Sequence, residues 1–307
     1  MTGIVVLPSI IVPQSVLMAG MSGVHSRQNQ RVRNQGGFAT VNTIRDATMR
    51  AWQIGTGPMS LSVADQIFGL YEVTDAGAFG MLFLDPIDAA VAAEDGALQG
   101  YQQGVEFGVP GFGSGGPRYG LRKMYTARGS GLRRGRALTR PIGNPAMLRG
   151  GSPVPIGAAA GNASLTAAPV YVDFVPDATR TINALAVGAT TQVTLDSPIG
   201  VIAGGRLWLQ GIGGEDAALL NGKSHQVAAV AGTVYTLAVD TSGKAITATG
   251  QGHKYPQPDE ALTWSGGFYV PVHFRDDNLD WDLVIPGPAA RRQVVIPSTF
   301  IDEIREA

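Results

Sequence analysis

The chain contains no cysteine, which excludes structural disulfides, thiolate nucleophiles and Cys-based zinc sites together. Charge is also scarce. Asp, Glu, Lys and Arg make up 15% of the 307 residues, and the formal net charge is −1. A chain this nearly neutral is not built, as a whole, to coat DNA or an acidic membrane surface. Long apolar runs are missing as well. Met1 to Val24 carries no charged side chain, but Pro8 and Pro13 interrupt it and no Lys or Arg precedes it. A signal peptide needs a cationic start, and a spanning helix needs about 20 unbroken apolar residues. Ile4–Leu7 and Ser9–Val12 are therefore expected to be strand pieces, with no membrane insertion.

Catalytic patterns are absent too. The four histidines, His25, His225, His253 and His273, are far apart in sequence and lack ligand spacing. No GxSxG, HExxH or P-loop sequence occurs. The glycines at 108, 111, 113, 115 and 116 have no following Lys-Ser/Thr, so the segment Glu106 to Gly120 reads as a loop and not as a phosphate cradle. Asp276, Asp277, Asn278, Asp280 and Asp282 are closely spaced but lack the central Gly and terminal Glu of a helix-loop-helix calcium site. They read as a polar turn and the solvent side of a strand. No enzyme, cofactor or metal site is expected.

What the sequence has is glycine (42) and proline (19) between short apolar runs, with 44% hydrophobic residues overall. That composition favours many strands joined by tight turns. One helix stands out. Val63, Ile67, Leu70 and Tyr71 recur at helical spacing after Ser62, whose partner Asp65 fits a capping box, and Gly77 fits a stop. Gly80-Met81-Leu82-Phe83-Leu84-Asp85-Pro86, directly after the helix, reads as a short strand ended by proline. Towards the C-terminus, Phe268, Val270, Val272 and Phe274 alternate onto one face, and Leu279, Trp281 and Leu283 follow an Asp-Asp-Asn turn. The fold class expected is mainly β: a sandwich- or barrel-like core with one helix, plus an inserted small β-domain.

Boundaries show as changes of composition. Past Gly150-Gly151 the chain turns to Ala, Gly, Thr and Val, with Pro153 and Pro155 as a linker. A second break falls at Tyr255-Pro256-Gln257-Pro258. Between them lie hairpin-like runs at Gln192–Leu195, Arg206–Leu209, Gln226–Val230 and Val234–Val239. The expected organisation is a split core, 1–152 and 254–307, interrupted by a β-module at 153–253.

The feature with the clearest functional character is a basic stretch free of Asp and Glu: Arg118, Arg122, Lys123, Arg128, Arg133, Arg134, Arg136, Arg140 and Arg149. With Tyr119 and Tyr125 interleaved, it suits either nucleic acid or subunit interfaces, where Arg is enriched. The near-zero net charge favours the interface.

Two segments carry a resemblance. Tyr269-Val270-Pro271-Val272-His273-Phe274-Arg275-Asp276-Asp277-Asn278-Leu279, with Ile296-Pro297 and Ile301-Asp302-Glu303-Ile304-Arg305, resembles the end of the distal tail proteins of long-tailed phages and gene transfer agents. Gly80-Met81-Leu82-Phe83-Leu84-Asp85-Pro86 after the helix is similar to the helix-then-strand unit of that family. Lys123-Met124-Tyr125 and Thr139-Arg140-Pro141-Ile142 resemble its middle. Within the insert, Gly211-Ile212-Gly213-Gly214, Leu220-Asn221-Gly222-Lys223, Tyr235-Thr236-Leu237 and Asp240-Thr241-Ser242-Gly243 resemble a small β-module of phage tail proteins, named after a half-domain of ubiquitin-activating enzymes. Its recognisable part runs from about 190 to 252.

The resemblance implies a structural protein of the virion tail, made in the host cytoplasm. Six copies would form a ring joining the tail tube protein to the baseplate hub protein, with DNA only in transit through the channel. The basic stretch would then supply arms and subunit interfaces. The alternative is a receptor-recognition tail protein that binds host-surface glycan through the insert. Against it, Tyr171, Trp208, Tyr235 and Tyr255 are widely separated in sequence, and Trp208 alternates with Leu207 and Leu209 in a pattern that suits a core role better than a ligand platform.

Overall fold

The computed structural model describes residues 4–27, 29–33, 39–43, 48–101, 115–127, 129, 131–288, 291–297 and 299–306. The chain is mainly β, with several sheets, one closed six-stranded barrel and, among the described residues, two α-helices. It divides into two compact units, residues 1–89 with 269–307, and residues 90–268.

The first unit is built on a six-stranded sheet in the order Val6–Ile11, Gly80–Phe83, Val270–Phe274, Phe300–Glu303, Met49–Ile54 and Met21–Ser26. The two C-terminal strands therefore lie side by side between pairs of N-terminal strands in one hydrogen-bonded surface, with Val270 opposite Phe83 and Ile301 opposite Trp52. Alternation explains the core. Arg50, Trp52 and Ile54 are buried along one face of their strand, and the Trp52 ring packs 4.8 Å from Phe83. Val270, Val272 and Phe274 are all buried, as their spacing predicts, and so is Phe268 at the end of the second unit.

The helix runs from Leu61 to Val73 and buries Ala64 and Ile67. It starts one residue before the expected cap, so Ser62 lies inside the helix and the capping box does not form. Ser60 occupies the N-cap without a side-chain bond to the backbone. The stop is not Gly77 but Thr74, whose Oγ1 donates to the Leu70 carbonyl at 2.8 Å. A second, short helix at Gln14–Met18 follows Pro13 directly, where no helix was expected, and the two expected strand pieces before it form one strand, Val6–Ile11.

In the second unit, the strand Arg118–Thr126 pairs with Arg133–Leu138, Gly96–Tyr101 and Tyr171–Phe174. The strand Ala146–Arg149 pairs with Leu262–Gly267. Gly96 sits so close to that strand that a Cβ there would run into the Trp264 carbonyl. The expected breaks at 152/153 and 253/254 both fall inside this unit. Its compact boundary lies at Ala90 and Phe268 because these antiparallel pairings join segments on both sides of the insert.

The barrel closes in the order Ala178–Ala186, Thr191–Leu195, Val234–Leu237, Lys223–Ala231, Arg206–Gln210 and Gln251–Lys254. Its interior holds Val193, Leu195, Leu207, Leu209, Val227 and Leu237, all essentially inaccessible to water. Tyr235 also lies inside, its hydroxyl accepting the Ile199 amide at 3.0 Å. Trp208 points to the opposite side from Leu207 and Leu209. It is nevertheless buried, with Tyr255 set edge-on at 6.1 Å.

Two histidines flank that strand. His225 lies opposite Leu207, with Nε2 2.9 Å from the Leu220 carbonyl; His253 lies opposite Trp208, with Nδ1 2.9 Å from Thr179 Oγ1. Burial lowers the pKa of both below the ordinary 6.5. The unfolded chain thus takes up protons that the folded barrel refuses. The stability from keeping both rings neutral is complete above 6.5 and is lost as pH falls through the lowered values. Calorimetry from about pH 7.5 to about pH 5 should show a falling transition temperature. The slope should flatten in a His225→Gln, His253→Gln variant; an unchanged slope would remove the histidines as its cause.

Candidate functional site

The expected basic residues concentrate on one hairpin, and strand register decides what each can do. Lys123 lies opposite Arg136, and Tyr125 opposite Arg134. With a side-chain period of two, these four share a face with Tyr119, Leu121 and Leu138, which are buried at the base of the hairpin. The face therefore grades from apolar at the base to cationic and exposed at the tip. Lys123 and Arg136 would repel as direct cross-strand neighbours. Aromatic rings offset this: the buried Phe268 ring lies 5.8 Å from Lys123 Nζ and 5.7 Å from the Arg136 guanidinium. Lys123 also donates to the Ala90 carbonyl at 2.6 Å.

The opposite face carries Arg118, Arg122, Met124 and Thr126, with Arg133 and Gly135 on the partner strand. Gly135 leaves space over which the Met124 sulfur and the Arg122 guanidinium lie. Arg118 forms a fork with Asp173, both N···O distances 2.8 Å, and its guanidinium sits over Tyr171. Arg133 donates to Thr126 Oγ1 and to the Glu94 carbonyl, and lies 3.8 Å from Asp95. Arg140 is buried. Arg128 lies outside the described residues, as does most of the Gly-rich loop; Gly115, at its end, packs against Arg206.

The stretch read as one basic run is therefore split by function. Arg118, Arg133 and Arg149 hold carboxylates of their own chain, Lys123 and Arg136 bracket an aromatic ring, and Leu132, Arg133 and Arg134 with Tyr125 are presented at the exposed tip. Such a surface can bind carboxylates and apolar side chains.

A second surface was only half legible in the sequence. Asp282–Ile285 is the end strand of a three-stranded sheet with Gln293–Val295 and Met59–Ser60. Trp281, Leu283, Val284 and Ile285 are each about half exposed, not packed as their alternation suggested. With Leu61, Phe68, Arg292 and Val294, the Trp281 and Leu283 side chains line a groove of about 420 Å³. Asp276, Asp277 and Asp280 precede the strand and are exposed, as is Asp282 within it. Beside them Arg275 forks onto Asp302 at 2.7 Å, a bond that raises the pKa of the guanidinium.

Two features escaped the sequence reading. Arg50 is buried against Asp88 at 2.5 Å and Asp85 at 3.8 Å, and Arg149 bridges Asp177 and Glu260. The only sequence signal for the first was a charged residue at a core position of the alternation in Met49–Ile54. Among the described residues, no three His, Asp or Glu side chains converge as metal ligands, and no helix is long and apolar enough to cross a membrane.

The aromatic residues weighed for a glycan platform do not come together as one. Tyr235 is inside the barrel, Trp208 is buried beside Tyr255, and Tyr171 lies under Arg118. A second concavity of about 420 Å³ beside the barrel, lined by Gly200, Ile202, Lys254, Asp259 and Glu260 among others, has no aromatic wall. No protein-family model matches the chain, and no curated protein matches it.

Proposed function

We propose that this chain is a structural subunit of a phage-type tail: a distal ring component that joins the tail tube to the baseplate hub and surrounds the DNA channel. It acts mechanically, as a rigid adaptor with two different faces, and carries out no catalysis. The observation that carries the reading is the exposed apolar strand Asp282–Ile285 at the end of its sheet, because a strand of that kind is normally covered in the working assembly. The two segments with the family resemblance also support it. Gly80–Phe83 and Val270–Phe274 come from distant parts of the chain and pair side by side in one sheet. The charged side chains agree with a structural role, since most of the pairs described above tie elements of the fold together. Glycan recognition through the insert is the weaker reading, for want of an aromatic platform.

Purified protein should run in light scattering at the mass of a hexamer, and negative-stain images should show closed rings with a central hole. Obligate interfaces of that kind bury more than about 2,000 Å². A monomer at every attainable concentration, even with tail tubes added, would overturn the reading.

A further inference from the structure

Two surfaces of this chain are complementary in charge and both expose apolar side chains. The strand Asp282–Ile285 presents Trp281, Leu283, Val284 and Ile285 to solvent, bordered by Asp276, Asp277, Asp280 and Asp282. The hairpin Arg118–Thr126/Arg133–Leu138 presents Leu132 and Tyr125 with Arg133 and Arg134, and Arg133–Leu138 is also the end strand of its sheet.

We propose that the acidic strand of one copy is covered by the arginine hairpin of a second copy, head to tail. The inference rests on the ring reading and names its subunit contact. Charge selects the arrangement. Two acidic strands brought together would repel, as would two arginine hairpins, so an isologous dimer through either surface is disfavoured. Only unlike surfaces attract, and a contact between unlike surfaces leaves one of each free to bind the next copy. Such a heterologous contact closes into a ring or grows into a filament. Leu132 and Tyr125 would lie against Trp281 and Leu283, while Arg134 meets Asp280 and Asp282 and Arg133, 3.8 Å from Asp95 of its own chain, takes the partner's carboxylate as a second one. Carboxylates attract arginines most strongly where water is partly excluded, which the flanking apolar groups provide. The groove beside Trp281 gives one of the hairpin's apolar side chains a seat.

The test is a charge swap in the full chain. One variant carries Arg133→Glu and Arg134→Glu; the other carries Asp280→Arg and Asp282→Arg. Each alone should associate at least about tenfold more weakly than the wild type in sedimentation, since it faces its own like charge. Mixed in equal amounts, the two should restore rings, because every contact in an alternating ring of even number then joins opposite charges. Wild-type assembly should weaken as salt rises. If wild-type rings form and both variants assemble as well as wild type, the contact lies elsewhere while the ring reading stands. If each variant stays dispersed and the mixture does too, the proposed pairing is wrong. If the wild type itself never assembles, the ring reading falls and the contact with it. Should a reversed chain fail to fold by circular dichroism, Trp281→Ser tests the same surface. It should weaken assembly with the fold intact, and wild-type assembly of that variant would overturn the contact.

Discussion

Replacing Arg50 with alanine should destabilise the first unit by about 3–5 kcal/mol, the range for removing one member of a buried ion pair. The side chain is 6% exposed and stands on the core face of its strand, level with Trp52 and Ile54. Its Nη1 lies 2.5 Å from Asp88 and 3.8 Å from Asp85. Asp85 is buried slightly more deeply still and accepts the Ile87 amide at 3.0 Å, which fixes the turn after Gly80–Phe83. Without the guanidinium, Asp85 and Asp88 lose this cation while Asp85 stays in a low-dielectric interior. Most of the loss therefore comes from the stranded charges and not from the attraction itself. That distinction is testable. A triple variant, Arg50→Met with Asp85→Asn and Asp88→Asn, removes the charges together and should recover most of the stability. Denaturant unfolding of the three proteins checks it; a loss below about 1 kcal/mol in Arg50→Ala would show that water reaches the carboxylates.

The same residue shows how far the sequence can be read. Alternation of polar and apolar residues located most of the barrel strands and the strand Val270–Phe274, because a half-buried strand stamps its period on the sequence. Arg50 breaks that period, and a charge at a core position is normally taken as evidence against burial; only the fold brings Asp85 and Asp88 to it. The unit boundary at Ala90 and Phe268 left no local mark either. It is set by pairings such as Ala146–Arg149 with Leu262–Gly267, whose partners are remote in the chain, whereas glycine and proline at 150–155 and 255–258 mark turns within the unit. Trp281 and Leu283 misled in the opposite direction. Their alternation with Asp280 and Asp282 resembles that of a half-buried strand, yet both side chains stay about half exposed beside the groove they line. A pattern that a monomer leaves unsatisfied is what an assembling subunit carries, so the misreading and the proposed contact have one cause. The basic run was legible as composition but not as roles, because Arg134 and Arg136 share a face of the hairpin and only the remote Phe268 ring beside Arg136 tells them apart.

Arg149 is where the linker reading and the structure meet, and its replacement by alanine should cost about 2–3 kcal/mol. The residue ends the strand Ala146–Arg149. Its Nη1 and Nη2 grip Asp177 at 2.7 Å each, and its Nε and Nη2 reach Glu260 at 2.8 and 2.9 Å. Asp177 immediately precedes the first barrel strand, and Glu260 follows the last one, so a single guanidinium ties the chain where it enters the barrel and where it leaves. Glu260 in turn accepts the Gln257 amide, and the buried Gln257 side chain accepts from the Arg206 amide and donates to the Tyr255 carbonyl. The segment at 255–258, read as a break in composition, is thus a hydrogen-bonded joint. The bonds to Asp177 raise the Arg149 pKa further above its ordinary value, so the charge persists at any pH that leaves the protein folded. These side chains are about one-fifth to one-third exposed, which places the expected loss below that for Arg50. Lysine keeps the charge but cannot form the two forks. Arg149→Lys should therefore recover less than half of the loss, measured by calorimetry alongside Arg149→Ala. Limited proteolysis should find new cleavage near Asp177 and Glu260 in both variants, with the barrel itself still resistant. Equal stability of Lys and Arg at this position would mean that charge alone closes the joint, and that the planar fork contributes nothing.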